Sequence, residues 1–380
     1  MENTEILHDT SVDKTPSHNV DVLIIGSGQA GLCVAYELKK RGFIGYAGNH
    51  DRNCGTFIVL DAESGPGGAW QHRWPTLTMG SVNQIADLPQ FPVGKVDPNM
   101  PSSKFISQYF ADYEAEFDLP ILHMVTVFSV THNKTEDLFT VKTTSGIWNA
   151  RYIVNCTGTW TRPFLPWYPG VDTFRGQQFH TQTYPGADHF WGKRVMIVGG
   201  GISALSHLNE VFQEAKKTVW VTRTSPRWRD ENFSSSNELS PEAGRAVEQR
   251  VRARVKKGLL PLPVVAETGL PENAMVKAMR ARGALKRHKL FDRLDAHGAW
   301  WGDKHRRLDA IIWATGFRPE LRHLAPLGLR SEYGGIAMEG VHARQNPNVF
   351  LIGYGSSAST VGARRDARVV AQEILVKIRH

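Results

Sequence analysis

The chain has 380 residues, 41% of them hydrophobic and 22% charged, with a formal net charge of +8. That is enough material for a large core in two or three globular domains. No stretch approaches the roughly 18 uninterrupted apolar residues of a membrane helix, and the three cysteines, Cys33, Cys54 and Cys156, include no C-x-x-C pair, which argues against a redox-active disulfide or a zinc knuckle.

Residues 1–17 read as a flexible N-terminal tail: polar, with early acids and no basic start, apolar run or cleavage-like site. An export signal is therefore not expected, and a cytoplasmic location is. From Val20, VDVLIIGSGQAGLCVAYELKKRG predicts a strand, a tight turn and a helix. Gly26, Gly28 and Gly31 stand in G-x-G-x-x-G spacing, with Gln29 and Ala30 inside the turn. Glycine is needed there because the chain must turn sharply, let a pyrophosphate reach the backbone, and pack the helix on the strand. The helix N-terminus then faces the phosphates. FIVLDAE supplies the next strand, and Asp61 at its end is placed to accept hydrogen bonds from a ribose hydroxyl. An acid favours an unphosphorylated ribose, as in FAD. Its distance from Gly26 exceeds the usual ~20 residues because GYAGNHDRNCGT intervenes as a loop insertion.

The string RYIVNCTGTWTRP, from Arg151, reads as a strand and turn. A second strand, turn and helix follows in KRVMIVGGGISALSHL, where Gly199, Gly201 and Ala204 give G-x-G-x-x-A, with Ser203 in the turn. The next strand, TVWVT, ends in Arg223 rather than an acid, and a guanidinium suits a 2′-phosphate that an acid would repel. The second site is thus expected to take NADPH. Two basic strings, RVRARVKKG from Arg250 and KAMRARGALKRHK from Lys277, carry much of the positive charge; with no nucleic-acid module beside them, they read as solvated helix faces or as steering for an anionic nucleotide. LDAIIWATGFRPE, which holds Gly316, repeats the strand-plus-turn pattern of the 151 string. The C-terminal NVFLIGYGSSASTVGARRDARVVAQEIL adds a last strand, a glycine-rich turn with Gly353, and an amphipathic helix whose start, near Val361, is expected to face the flavin.

The expected fold is α/β with two Rossmann-like, three-layer dinucleotide-binding domains, the NADPH domain inserted in the FAD domain. The FAD domain is expected to comprise 18–164 plus 304–380, and the NADPH domain 165–303.

FRGQQFHTQTY fits F-x-G-x-x-x-H-x-x-x-Y with Phe174, Gly176, His180 and Tyr184, just before the second glycine motif. Together with the two glycine turns and GPGGAWQHRW, it resembles the flavin-containing monooxygenase family and its small bacterial relatives, over most of the chain from Val20 onward. The resemblance implies that Gly68, Trp70, Arg73 and Trp74 lie beside FAD, that His180 organises the linker and the nicotinamide cofactor, and that Tyr184, where Baeyer-Villiger relatives carry Trp, leans toward heteroatom oxidation. Asn83 stands as the candidate for the family's active-site asparagine. The implied reaction passes a hydride from NADPH to FAD, forms a flavin 4a-hydroperoxide with molecular oxygen, and oxygenates a nitrogen, sulfur or similar soft centre of a small-molecule substrate. A reductase or oxidase without oxygen transfer, and a Baeyer-Villiger enzyme, are the alternatives. No metal, nucleic acid or membrane partner is expected, and a homodimer is left open.

Overall fold

The computed structural model describes residues 16–47, 55–82, 85–229, 241–262 and 264–379. Asn83 and Cys54 lie outside the described residues. Strand β1 (Ser17–Ile25) runs through the middle of a first sheet, and its apolar second half is buried on both faces, as a central parallel strand requires. Alternation sends Val22 and Ile24 toward helix α1 (Gln29–Lys40), which buries Leu32, Val34, Ala35 and Leu38 against them, while Leu23 and Ile25 face the opposite layer. Strand β2 (Thr56–Leu60) flanks β1 on one side. Helix α2 (Ser102–Glu116) adds Ile106, Phe110 and Tyr113 to the helical layer, and strand β3 (Gly146–Asn155) flanks β1 on its other side. Ile25 stands opposite both Leu60 and Asn155, so Gly26, Asp61 and Cys156 emerge together at one edge of the sheet. That shared C-terminal edge is where a doubly wound sheet leaves room for a ligand.

The second sheet is all parallel. It is built from β4 (Gln177–His180), β5 (Arg194–Val198), β6 (Lys217–Val221), β7 (Arg287–His288) and β8 (Ala310–Trp313), in the spatial order β7, β6, β5, β8, β4. Helix α3 (Ile202–Glu214) follows β5 and buries Ala204, Leu205, Leu208 and Val211 on one face of this sheet. Val198 stands opposite Val221 and Trp313, and Trp313 opposite His180, so Gly199, Thr222, Ala314 and Thr181 line one edge, as in the first sheet. Ala310–Trp313 therefore belongs with β5 and β4, and the chain leaves the second sheet after Trp313 rather than at 304.

Helix α4 (Pro241–Lys256) comes from this inserted stretch yet packs on the first sheet. Val255 is buried among Leu321, Leu329, Met338 and Leu351, and the chain beyond it is held by the Ser331 hydroxyl, which donates to the Gly258 carbonyl at 2.6 Å. The last strand, β9 (Asn346–Leu351), pairs with β3, and helix α5 (Thr360–Arg379) lays Ala367, Val370, Ala371 and Ile374 into the core of α1. The two crossings between sheets run side by side: the Arg318 amide donates to the Arg162 carbonyl at 2.8 Å, and the Phe164 amide to the Gly316 carbonyl at 2.9 Å. No helix among the described residues is long and apolar enough to cross a membrane.

Candidate active site at the two sheet edges

The three glycines of the first turn meet three different demands. At Gly26, φ is +99° and an added Cβ would lie 2.8 Å from the Cys156 carbonyl oxygen, so both the turn and the neighbouring strand require glycine. At Gly31 an added Cβ would lie 1.9 Å from the Gly26 carbonyl oxygen, so this glycine lets the helix close on the turn. At Gly28 an added Cβ would meet nothing within 4 Å. Gly28 is also the N-cap of α1, with no side chain capping the first turn, so the amides of that turn face open space at the positive end of the helix dipole. This is a cradle that a side chain would fill and a pyrophosphate would suit.

Around it stand the other first-site residues. Gly68 approaches within 3.1 Å of the Gly28 Cα, measured from its Cβ position. Ala30 lies 3.8 Å from the Cβ position of Gly353. Gln29 donates to the Ala86 carbonyl at 3.1 Å, and the Ala86 amide donates to the Thr360 hydroxyl at 3.2 Å, which draws the start of α5 toward the turn. Val361, the next residue, is 68% exposed. Asp61 is buried and accepts from the Ser27 amide at 2.5 Å and the Glu63 amide at 2.8 Å. Burial pushes its carboxyl up, but His123 and those two amides outweigh it and hold the group below the ordinary aspartate range.

Arg73 sits with its guanidinium 4.1 Å from the centre of the Trp160 ring and 5.3 Å from that of Trp70. Its Nε is buried with no hydrogen-bond partner, and burial lowers its pKa to about 10. A desolvated cation with an unsatisfied donor is costly until an acceptor or anion reaches it. Trp74 turns elsewhere: it is buried in the core of the second sheet, edge-on to Tyr184 at 5.9 Å and tilted against His207 at 4.7 Å. The sequence motif places it beside FAD; the fold makes it a contact between the two halves.

The second turn repeats the first. At Gly199, φ is +149° and an added Cβ would lie 2.1 Å from the Ala314 carbonyl oxygen, whereas at Gly201, the uncapped N-cap of α3, it would meet nothing within 4 Å. Ala204 is fully buried under the helix and Ser203 is half-buried in its first turn. Arg223 is exposed two residues beyond β6, at the same sheet edge as Gly199.

His180 ends β4 at the junction. Its Nε2 lies 3.0 Å from the Gly316 carbonyl oxygen and its Nδ1 accepts from the Gln182 amide at 3.2 Å. Nε2 therefore carries the proton, and burial, set against the Gly316 hydrogen bond, lowers the pKa. A neutral histidine thus ties the linker to the second crossing. Tyr184 donates from its hydroxyl to Glu210 at 3.0 Å, and Glu210 also accepts from the Thr76 hydroxyl at 3.0 Å and the Trp74 indole at 3.4 Å. Glu210, on α3, pins the linker and the loop after Trp70 to the second sheet. Burial, reinforced by Glu210, raises the Tyr184 phenol well above its ordinary range, so it stays a donor. Cys33 and Cys156 are both buried thiols; burial pushes Cys33 up to about 12 and Cys156 up as well, which removes the thiolate that disulfide chemistry needs. The sequence singled out the glycine turns and Arg73 that the fold places here; it did not single out Glu210, His207, Trp160, His123 or Glu114, which the fold brings beside them.

The family described as pyridine nucleotide-disulphide oxidoreductase matches residues 69–353. The fold is similar to that of a flavin-containing monooxygenase from Stenotrophomonas maltophilia, with a TM-score of 0.78 and 31% identity, covering 95% of this chain and 99% of that one. The chain is also 30% identical over 198 residues to an uncharacterized oxidoreductase, CzcO-like, of Geobacillus kaustophilus, covering 52% of this chain and 53% of that protein. It is 27% identical over 213 residues to the probable indole-3-pyruvate monooxygenase YUCCA3 of Arabidopsis thaliana, covering 53% of this chain and 46% of that protein. The matched stretch thus spans about half the length of these two curated relatives.

Proposed function

We propose, for a chain that belongs to the flavin-containing monooxygenase branch of the pyridine nucleotide-disulphide oxidoreductase family, an NADPH-dependent flavoprotein monooxygenase acting on a nitrogen, sulfur or similar soft centre of a small molecule. The observation that carries this reading is the pair of uncapped helix N-termini at Gly28 and Gly201, each left open where a side chain would occupy the space a phosphate needs, on two sheets whose connecting segments meet at Gly316. FAD fits the first edge and NADPH the second. The FAD unit would span 18–164 and the stretch after about Ala314, with the NADPH unit between.

When bound, the flavin supplies the redox chemistry, accepting a hydride from NADPH and activating oxygen. The chain's own residues bind, orient and exclude water. The uncapped amides of α1 hold the pyrophosphate and Asp61 accepts from the ribose. Arg73, stacked between Trp70 and Trp160, offers its unsatisfied donor to the same cofactor. Arg223 receives the 2′-phosphate as an exposed guanidinium. His180 fixes the crossing against which the nicotinamide must be positioned, so it is a positioning residue rather than a base. Asn83 stands as the proposed active-site asparagine.

Incubation with NADPH, oxygen and a panel of amines, sulfides and ketones, read by mass spectrometry, tests the proposal. Substrate-dependent gain of one oxygen atom is the expected result. NADPH oxidation with no oxygenated product from any of the panel would replace this reading with that of a reductase or oxidase.

A further inference from the structure

His123 lies between two carboxylates that come from different layers of the FAD unit. Its Nε2 is 3.0 Å from Glu114 Oε2 on α2, and its Nδ1 is 3.7 Å from Asp61 Oδ1 just beyond β2. All three groups are largely shielded from water, with side-chain exposures of 20% for His123, 12% for Glu114 and 6% for Asp61. The His123 Nδ1 and the Glu114 Oε1 are both buried without a hydrogen-bond partner. The arrangement is a short relay of alternating charge that ends on the carboxylate at the ribose position.

Resting on the reading that Asp61 holds the FAD ribose, we propose that His123, wedged between Asp61 and Glu114, is a positioning residue that sets the affinity for FAD. The Asp61 carboxylate has two fixed donors, the Ser27 and Glu63 amides, and needs a free lone pair aimed at the ribose. A cationic imidazole 3.7 Å from its Oδ1 offsets the cost of its burial as an anion, while Glu114 keeps that imidazole charged and in place. Asp61 and then Glu114 raise the His123 pKa to about 9, against the opposing effect of burial. Asp61 and Glu114 are the ionisable groups that bear on it from β2 and α2. The contribution to FAD binding is complete while the imidazole of the folded apoprotein is protonated and is lost as pH rises through about 9.

The test is FAD binding to the apoprotein, followed by flavin fluorescence between pH 6 and 9.5, with circular dichroism of each apoprotein as the folding check. His123→Gln is expected to weaken FAD about fivefold at pH 7, the scale of a partly buried ion pair, and to bind with little dependence on pH. Wild type should lose part of that factor, about two- to threefold, between pH 7 and 9.5. Glu114→Gln leaves Asp61 and His123 in place, and should move the midpoint of that loss to lower pH. A His123→Gln protein that binds FAD as wild type does at pH 7, or a Glu114→Gln midpoint that stays where wild type has it, would overturn the proposal. Asp61→Asn separates the two readings: if it binds FAD normally, the ribose assignment itself is wrong, whereas weak binding by Asp61→Asn with normal binding by His123→Gln removes only the role of His123.

Discussion

A methyl group at Gly28 meets nothing, whereas one at Gly31 runs into the Gly26 carbonyl oxygen at 1.9 Å. The same kind of substitution therefore separates ligand binding from folding. Gly28→Val should leave the apoprotein melting close to wild type and yield a colourless protein, because the branched side chain occupies the space left for the pyrophosphate. Gly31→Ala should destabilise the fold by about 1–3 kcal/mol through overpacking, visible in chemical denaturation before any cofactor is added. Retention of full flavin by Gly28→Val would show that the first turn binds something else or nothing. Arg223 offers the complementary case at the second turn. It is exposed, so Arg223→Ala should fold normally and raise the KM for NADPH about tenfold or more, the scale of a charge-assisted hydrogen bond, with NADH kinetics unchanged. Equal losses with both nucleotides would mean general damage to the second sheet.

At the scale of elements, the junction is built where α3, the linker after β4 and the loop after Trp70 meet on Glu210. Tyr184→Phe removes one of three donors to that carboxylate and should cost about 1 kcal/mol of stability, read from urea denaturation, while leaving NADPH-dependent flavin reduction within about twofold of wild type, since the phenol anchors rather than reacts. His180→Ala should keep its FAD but release more hydrogen peroxide per oxygenated product, because the crossing at Gly316 loses its tie. Peroxide assay beside product quantification reads this directly. These contacts also mark the limit of what the sequence discloses. Glycine spacing, strand runs and the acid at Asp61 are local patterns, and the parallel register gathers them at the C-terminal edges of the two sheets. Glu210 is an ordinary helix-surface residue in sequence; its role exists only because Trp74, Thr76 and Tyr184 converge on it from far along the chain. Trp74 follows a motif that points to flavin, yet its side chain is claimed by Tyr184 and His207. The strings at 151 and 308 look alike, and nothing local tells that β3 joins the first sheet and β8 the second. Asp61 was legible; the imidazole behind it was not, because β2 and α2 meet His123 only after the fold closes.

For the molecule as a whole, two buried histidines couple stability to pH. Burial lowers the pKa of His207 to about 3 and that of His323 to about 4, so both are neutral in the folded state. The unfolded chain takes up protons at these positions below about pH 6.5, and the folded chain does so only near the lowered values. Their contribution to stability is thus complete above about pH 6.5 and is lost as the pH falls toward 4. Thermal melts should show a decline over that window, and His207→Gln should make it shallower; an unchanged slope would assign the acid sensitivity to other groups.

The layout of the FAD unit has a further consequence for a chain made from its N-terminus. The core over α1 is completed by Ala367, Val370, Ala371 and Ile374 of α5, and β3 receives β9 only after the whole inserted sheet has been synthesised. On the ribosome, β1, α1 and β2 must therefore wait with an apolar face uncovered while the second sheet, whose strands span Gln177 to Trp313, is still emerging. That interval is the period in which the exposed face of α1 is most open to misassociation.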